Sequence, residues 1–115
     1  MSSSGRMRRV DEAVREVLSA AITKDLKDPR IGFVTVTAVD TSPDLRHADV
    51  WVSVLGDDTQ RKLTIAGLQS AHGLLQREVA RQLRLKHTPQ LDFVYDDTAE
   101  RAARLEQIIR ETGRD

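Results

Sequence analysis

The chain has 115 residues, of which 31% are charged and 39% hydrophobic, and its formal net charge at pH 7 is zero. This length allows one domain with a hydrophobic core, and no apolar run is long enough to cross a membrane. The polar first five residues contain no signal-peptide pattern. The absence of cysteine excludes disulfides, thiolate catalysis and cysteine-based zinc sites. We therefore expect a small cytoplasmic domain with a thin core.

The zero net charge hides strongly segregated blocks of charge. Residues 61–87 contain six basic residues and one acidic residue, a net charge of +5, whereas residues 25–58 and 88–100 each carry −4. A general polyanion-binding protein is usually basic overall. The segregation instead predicts a protein that meets a polyanion with one surface and repels it elsewhere.

The first half of the chain is predicted to form a helix followed by a hairpin. Helical periodicity covers residues 6–27 and stops before Pro29, because the residue before a proline is disfavoured in a helix. Two alternating runs, 33–40 and 46–55, predict an antiparallel hairpin. Val34, Val36 and Ala38 are expected on one face of the first strand. The predicted buried stripe of the helix consists of Val10, Val14, Val17, Leu18, Ala21 and Ile22.

A long helical segment, residues 59–87, follows the hairpin and is interrupted by Ala71-His72-Gly73. Unbroken, it would measure about 43 Å at ~1.5 Å per residue, which is too long for a compact domain of this size. We therefore predict a kink at which Gly73 is constrained, with the helix after it extending to about Lys86. The apolar stripe of this segment consists of Ile65, Leu68, Ala71, Leu75, Val79 and Leu83.

The last third is predicted to contain a strand, residues 91–96, and a helix, residues 98–112. Asp97 and Glu100 have the spacing of a capping box. The order α-β-β-α-kink-α-β-α predicts an α/β (α+β) two-layer sandwich, with helices on one face of a three-stranded sheet. We expect one domain, 6–112, between a disordered segment, 1–5, and a short tail, 113–115. The residues that the last helix is expected to bury are Ala102, Leu105, Ile108 and Ile109.

Motifs spread over residues 6–112 match one known family in order and spacing. The matching residues are Lys24-Asp25-Leu26-Lys27-Asp28-Pro29-Arg30-Ile31-Gly32, Val34-Thr35-Val36-Thr37, Ser42, Asp44-Leu45, Ala48, Leu68, Ala71, Gly73, Leu74, Pro89-Gln90-Leu91-Asp92-Phe93 and Asp96. Together they resemble ribosome-binding factor A, a family of bacterial small-subunit maturation factors.

The resemblance implies a type II KH fold, in which Ala71-His72-Gly73 matches the family's Ala-x-Gly kink. The chain has no GxxG loop, so the usual KH grip on nucleotides is not implied. What is implied is a non-enzymatic factor that binds the free 30S subunit and 16S rRNA. It would assist late maturation and 16S rRNA 5′-end processing and act in cold adaptation. The residues predicted to contact RNA are Ala71, His72, Gly73, Arg77, Arg81, Arg84 and Lys86, with Arg6, Arg8 and Arg9 as a secondary basic arm.

Two other functions are compatible with the residues alone. A protein–protein adaptor without an RNA role would use the basic helix to meet an acidic partner, and a regulatory domain would bind a small ligand. The three histidines lack metal-ligand spacing, and no nucleotide-binding or nucleophile motif occurs. We therefore expect no metal, no cofactor and no enzymatic activity, and nothing in the sequence argues for more than a monomer.

Overall fold

The computed structural model describes residues 5–113 as four helices and a three-stranded sheet. The elements are α1 (Gly5–Lys24), β1 (Val34–Thr41), β2 (His47–Val54), α2 (Asp58–Ser70), α3 (His72–Gln82), β3 (Gln90–Tyr95) and α4 (Thr98–Thr112). In the sheet, β2 lies between β1, its antiparallel partner, and β3, its parallel partner. The predicted order and fold class are confirmed. Gly5, predicted as disordered, begins α1, and Gly113 caps the end of α4; the rest of the predicted disordered segment and of the predicted tail lies outside the described residues.

The core lies between one face of the sheet and helices α1 to α3. Alternate residues of β2 point into it, as the sequence pattern predicts. The apolar stripes predicted for α1 and for the kinked helices also face it, with Val10, Ile65, Ala71 and Leu83 partly buried at its margin. The fully buried apolar residues are Val14, Leu18, Ala48, Val50, Val52, Leu68, Leu75 and Val79.

A bulge in β1 reverses its alternation. Val36 pairs with Val52, but the next paired residue of β1 is Ala38, opposite Trp51, so Thr37 is the extra residue. One extra residue turns every following side chain to the other face. Ala38 is therefore exposed and Val39 is buried, and the prediction that Ala38 shares a face with Val34 and Val36 is wrong.

The turn between α1 and β1 is fastened to α2. Helix α1 ends at Lys24 rather than at residue 27. Beyond it, the Asp28 carboxylate accepts hydrogen bonds from the backbone N–H of Arg30, at 2.9 Å, and from the Arg30 guanidinium. The Arg30 carbonyl accepts from the side chains of Gln60 and Thr64 on α2, at 3.3 and 3.4 Å. The Asp28-Pro29-Arg30 motif therefore has a structural role.

Ionisation of the Asp28 carboxyl group is expected to make the stability of the fold depend on pH in the acid range. The hydrogen bonds from the Arg30 side chain and backbone lower its pKa from 3.8 to about 2. A carboxyl group whose pKa is lowered by folding stabilises the fold above its unfolded pKa, and this contribution is lost as the pH falls through the folded pKa. Asp28→Asn should lower the urea midpoint near neutral pH, and its difference from the wild type should shrink between about pH 4 and pH 2.

Urea titrations followed by circular dichroism at several pH values measure this. Glu111→Gln, a neutralisation on the exposed part of α4, is the control and should show no such window. A difference between Asp28→Asn and wild type that stays constant from neutral pH to pH 2 would contradict the assignment.

The break between α2 and α3 is centred on Ala71. Its N–H donates to the carbonyls of Gly67 and Leu68, and its carbonyl accepts from the N–H of Leu75. Gly73, by contrast, is an exposed residue in the first turn of α3, and an added Cβ would meet only the side chain of Arg77, at 3.7 Å. The expected constraint at Gly73 is wrong.

The sterically constrained glycine of this segment is Gly67, on α2. It is buried, and a Cβ built on it would lie 2.6 Å from Cγ1 of Ile31 and 3.4 Å from a carboxylate oxygen of Asp28. The turn that follows α1 therefore packs directly on the α2 backbone at this position.

The chain leaves the helical conformation earlier than predicted. Helix α3 ends at Gln82, and Leu83 has an extended backbone. From there Leu83 and Leu85 pack against the core while Arg84 and Lys86 are exposed. This is the two-residue alternation of an extended segment, so Arg84 does not share a helix face with the arginines of α3.

Helix α4 has the predicted bounds but not the predicted burial. None of its described side chains is buried, and Leu105, Ile108 and Ile109 are 59, 57 and 62% exposed. Its first turn is held by Glu100, which accepts a hydrogen bond from the Tyr95 hydroxyl and pairs with Arg61. The prediction that α4 buries its apolar stripe is wrong.

The predicted capping box at the start of α4 is also wrong. The Asp97 carboxylate accepts from the Arg101 side chain, at 3.0 Å, instead of capping the helix. The neighbouring Asp96 accepts from the backbone N–H of Thr98, at 3.0 Å.

No helix within residues 5–113 is long and apolar enough to span a membrane.

Candidate nucleic-acid interface

Three segments that are distant in sequence meet at one end of the domain. The start of α1, the β1–β2 turn and the segment after α3 together line a hollow of about 600 Å³. A neighbouring hollow of about 580 Å³ reaches the start of α3 at His72. We define the basic edge as the arginine, lysine and histidine side chains that line these two hollows. They are Arg6, Arg46, His72, Arg84, Lys86 and His87.

The β1–β2 turn is held by a local hydrogen-bond network. Asp44 accepts from the Ser42 hydroxyl, at 2.7 Å, and from the backbone N–H of Arg46, at 3.1 Å. These bonds, the one from Ser42 first, lower the pKa of Asp44. Leu45 donates its N–H to the Ser42 carbonyl and has a φ of 62°, in the left-handed region that a leucine rarely adopts. The network fixes the positions of Leu45 and Arg46.

The segment after α3 is tied to α3 through Gln76. Its side-chain amide donates to the Pro89 carbonyl, and its side-chain oxygen accepts from the N–H of Leu91, at 3.4 Å. These bonds hold residues 83–89 beside α3. Arg84 and Lys86 are both exposed and both line the 600 Å³ hollow, so their side chains lie on the same side of this segment.

The start of α3 adds to the positive potential of the basic edge. The first N–H groups of a helix lack partners within the helix and carry the positive end of its dipole. Ala71 provides no side-chain cap here, and the exposed Gly73 leaves the backbone approachable. Such a helix start favours phosphate groups.

The remaining predicted residues lie apart from these hollows. Arg77 and Arg81 are exposed on α3, one turn apart. The Arg81 guanidinium donates to Glu78 at 2.7 Å and lowers the pKa of that carboxyl group, so its charge is partly compensated. Arg8 and Arg9 are exposed on the first turns of α1. The predicted set therefore divides into residues of the basic edge, the α3 arginines, the α1 arm and the two kink residues outside the hollows, Ala71 and Gly73.

The basic edge contains one arginine that sequence reasoning missed. Arg46 lines both hollows, yet the nearest arginine or lysine in the chain, Arg61, is 15 residues away. The signal that could have revealed it is the adjoining Asp44-Leu45 motif, which marks an ordered turn.

The outer face of the sheet has the opposite charge. Strand register places Asp40 opposite Asp49 and Asp49 opposite Asp92, and all three side chains are exposed. A row of carboxylates across the sheet repels phosphates. A polyanion is therefore attracted to the end of the domain and not to its open face.

Among the residues that the structure describes, no cluster of three or more acidic or histidine side chains could hold a metal ion.

The fold and the interrupted α2–α3 pair define a KH-like domain that carries the break at Ala71 in place of a GxxG loop. A model of the Ribosome-binding factor A family matches residues 6–109. The chain belongs to this family, which is one of ribosome-binding factors rather than a known family of enzymes, and the resemblance drawn from the sequence motifs is confirmed.

Individual relatives agree with the family match. Ribosome-binding factor A of Anaeromyxobacter sp. (strain K) is 54% identical over 112 residues, which are 96% of this chain and 81% of that protein. A Thermotoga maritima protein proposed to be a ribosome binding factor A, solved by NMR, has a TM-score of 0.72 at 35% identity, covering 82% of this chain and 90% of that one.

A third relative comes from a 30S complex. A homology model of Thermus thermophilus ribosome binding factor A, fitted into a cryo-EM map of a 30S complex, has a TM-score of 0.64 at 26% identity. The match covers 76% of this chain and 92% of that one.

Proposed function

We propose that this protein binds the free, immature small ribosomal subunit and contacts 16S rRNA through the basic edge. Family membership supports the ribosomal target, and the relative fitted into a 30S complex supports the small subunit. The observation that carries the RNA contact is the convergence of Arg6, Arg46, Arg84 and Lys86 beside the start of α3.

The site supports binding rather than chemical catalysis. Arginine and lysine side chains and a helix start recognise phosphates without reference to sequence, and they fix the position of an RNA backbone. The predicted kink residues Ala71, His72 and Gly73 would lie against the RNA backbone. The exposed arginines of α3 and the α1 arm, namely Arg77, Arg81, Arg8 and Arg9, would extend the contact outward.

Binding of this kind acts on rRNA by shifting its conformational populations. A protein favours one RNA conformation only by the difference between its affinities for the alternatives. We infer that the factor acts stoichiometrically, as a cytoplasmic monomer, in late 30S maturation and 16S rRNA 5′-end processing. The same selection of one rRNA conformation would serve growth in the cold.

Co-sedimentation across a salt series tests this function. We expect the purified protein to comigrate with isolated small subunits, and not with large subunits or joined ribosomes. Each phosphate contact should add roughly 0.7–0.9 to the log–log slope of affinity against salt. A protein–protein adaptor would instead show no comigration with subunits at any salt concentration, and that result would contradict the proposed function.

A further inference from the structure

We infer that the 600 Å³ hollow at the basic edge holds the base of one unstacked RNA nucleotide while its rim binds the adjacent phosphates. This inference rests on the proposed function and specifies the ligand of one part of its site. The hollow lies between the start of α1, the β1–β2 turn and residues 84–87. Lys86 and His87 also line the neighbouring hollow, which reaches the start of α3.

The size and the floor of the hollow suit a nucleobase. Its volume falls in the usual range of small-ligand pockets, roughly 300–1,000 Å³. Val10 and Leu85 are partly buried against the core and form a fixed apolar surface. Apolar contact of this kind favours the flat face of a base over a phosphate. The other apolar lining residues are Met7, Pro43 and Leu45.

The rim of the hollow separates a phosphate side from a base side. Arg84, Lys86 and His87 come from the segment after α3 and concentrate positive charge on that side of the hollow. The β1–β2 turn contributes Asp44, the one carboxylate among the lining residues, which forms an ion pair with Arg46 of the same turn at 3.9 Å. A carboxylate repels phosphate but accepts hydrogen bonds from the N–H edge of a base. The turn is therefore nearly neutral, whereas the segment after α3 is cationic, and this difference favours a nucleotide with its phosphates near residues 84–87 and its base toward the turn.

The backbone conformation of Leu45 indicates that the fold fixes the shape of the hollow. Leu45 is the one non-glycine residue with positive φ in residues 5–113. A leucine in this conformation is strained and persists where its surroundings fix it. Here the strained backbone leaves the leucine side chain half-buried in the hollow, where it supplies a wall for the base.

The two hollows together define a path for a short single strand. Arg46, Lys86 and His87 line both of them and form the boundary between them. A backbone that passes the start of α3 at His72 can cross this boundary and place its next base beside Leu45. Single-stranded RNA is commonly recognised by unstacked bases inserted beside such phosphate contacts, and a histidine or arginine plane can stack on the base.

Leu45→Gly tests the base site without disturbing the turn. Glycine accepts a φ of 62° without a steric penalty, so the variant should fold at least as stably as the wild type. The probe is a fluorescein-labelled single-stranded RNA octamer of mixed sequence, measured by fluorescence anisotropy over a salt series. We expect about a tenfold loss of affinity, since a buried leucine-sized contact is removed, with an unchanged salt slope. Leu55→Ala, which truncates a 73% exposed leucine outside the hollow, should bind as the wild type does.

An abasic octamer of the same length and charge completes the test. We expect the wild type to bind it about tenfold more weakly than the intact octamer, and Leu45→Gly to bind both alike. Equal wild-type affinity for the two octamers, or undiminished binding by Leu45→Gly, would overturn the base site. Small-subunit co-sedimentation of the same proteins keeps the two proposals separate, because a wild type that sediments with subunits but ignores bases refutes only the base site.

Discussion

Gly67→Ala is expected to lower the free energy of unfolding by about 1–3 kcal/mol, although alanine is the better helix former. The new methyl group would lie 2.6 Å from Cγ1 of Ile31, so the turn after α1 must move away from α2. That movement strains the hydrogen bonds that Gln60 and Thr64 donate to the Arg30 carbonyl. Urea unfolding near neutral pH measures the loss.

Gly73→Ala is the matched control, since both glycines lie in the same helical pair. An added Cβ at Gly73 would meet only a flexible arginine side chain, at 3.7 Å, and the helical backbone suits alanine. We expect this variant to be more stable than the wild type by about 0.4–1 kcal/mol. If Gly67→Ala proved as stable as Gly73→Ala, the close packing of the turn on α2 would be refuted.

The contrast between these glycines shows what the sequence can reveal about the kink. Chain length and periodicity correctly require a break near residue 71, because the apolar stripe continues on both sides of it. Which glycine is constrained depends on Ile31, which is 36 residues away from Gly67 in the chain. No local pattern encodes that contact.

The other differences have similar physical causes. The bulge at Thr37 adds a residue to β1 without changing its composition, so strict alternation misassigned Ala38. The end of α3 was placed too late because Leu83 continues the helical stripe, although Leu83 and Leu85 also fit an extended alternation. The amphipathic pattern of α4 correctly predicts a helix, but a pattern contains no information about which surface, if any, covers it.

The sequence predicted many of the residues of the candidate site but not how they are arranged in space. The sequence located the basic block, and Arg84 and Lys86 within it. It could not show that the extended chain after Gln82 turns these two side chains toward Arg6 and Arg46. Nor could it show that Glu78 partly compensates Arg81. Both facts depend on tertiary structure, and both change which residues we expect to matter most.

The double variant Arg84→Glu/Lys86→Glu is therefore expected to weaken binding to small subunits far more than Arg77→Glu/Arg81→Glu. Both variants change the net charge equally. The first removes two exposed cations from the basic edge, so the salt slope should fall by about 1.4–1.8 and the affinity by roughly tenfold or more per contact. The second removes one arginine that already donates to Glu78, at 2.7 Å, and should lower the slope by less than half as much.

Co-sedimentation with isolated small subunits at several salt concentrations measures both slopes, and circular dichroism checks that the variants remain folded. Equal losses in the two variants would mean that the exposed face of α3 contacts rRNA as extensively as the basic edge does. Wild-type binding by Arg84→Glu/Lys86→Glu would remove the basic edge from the interface. Because the two pairs lie on separate surfaces, the ratio of the two slopes indicates on which side of the α2–α3 break the RNA backbone runs.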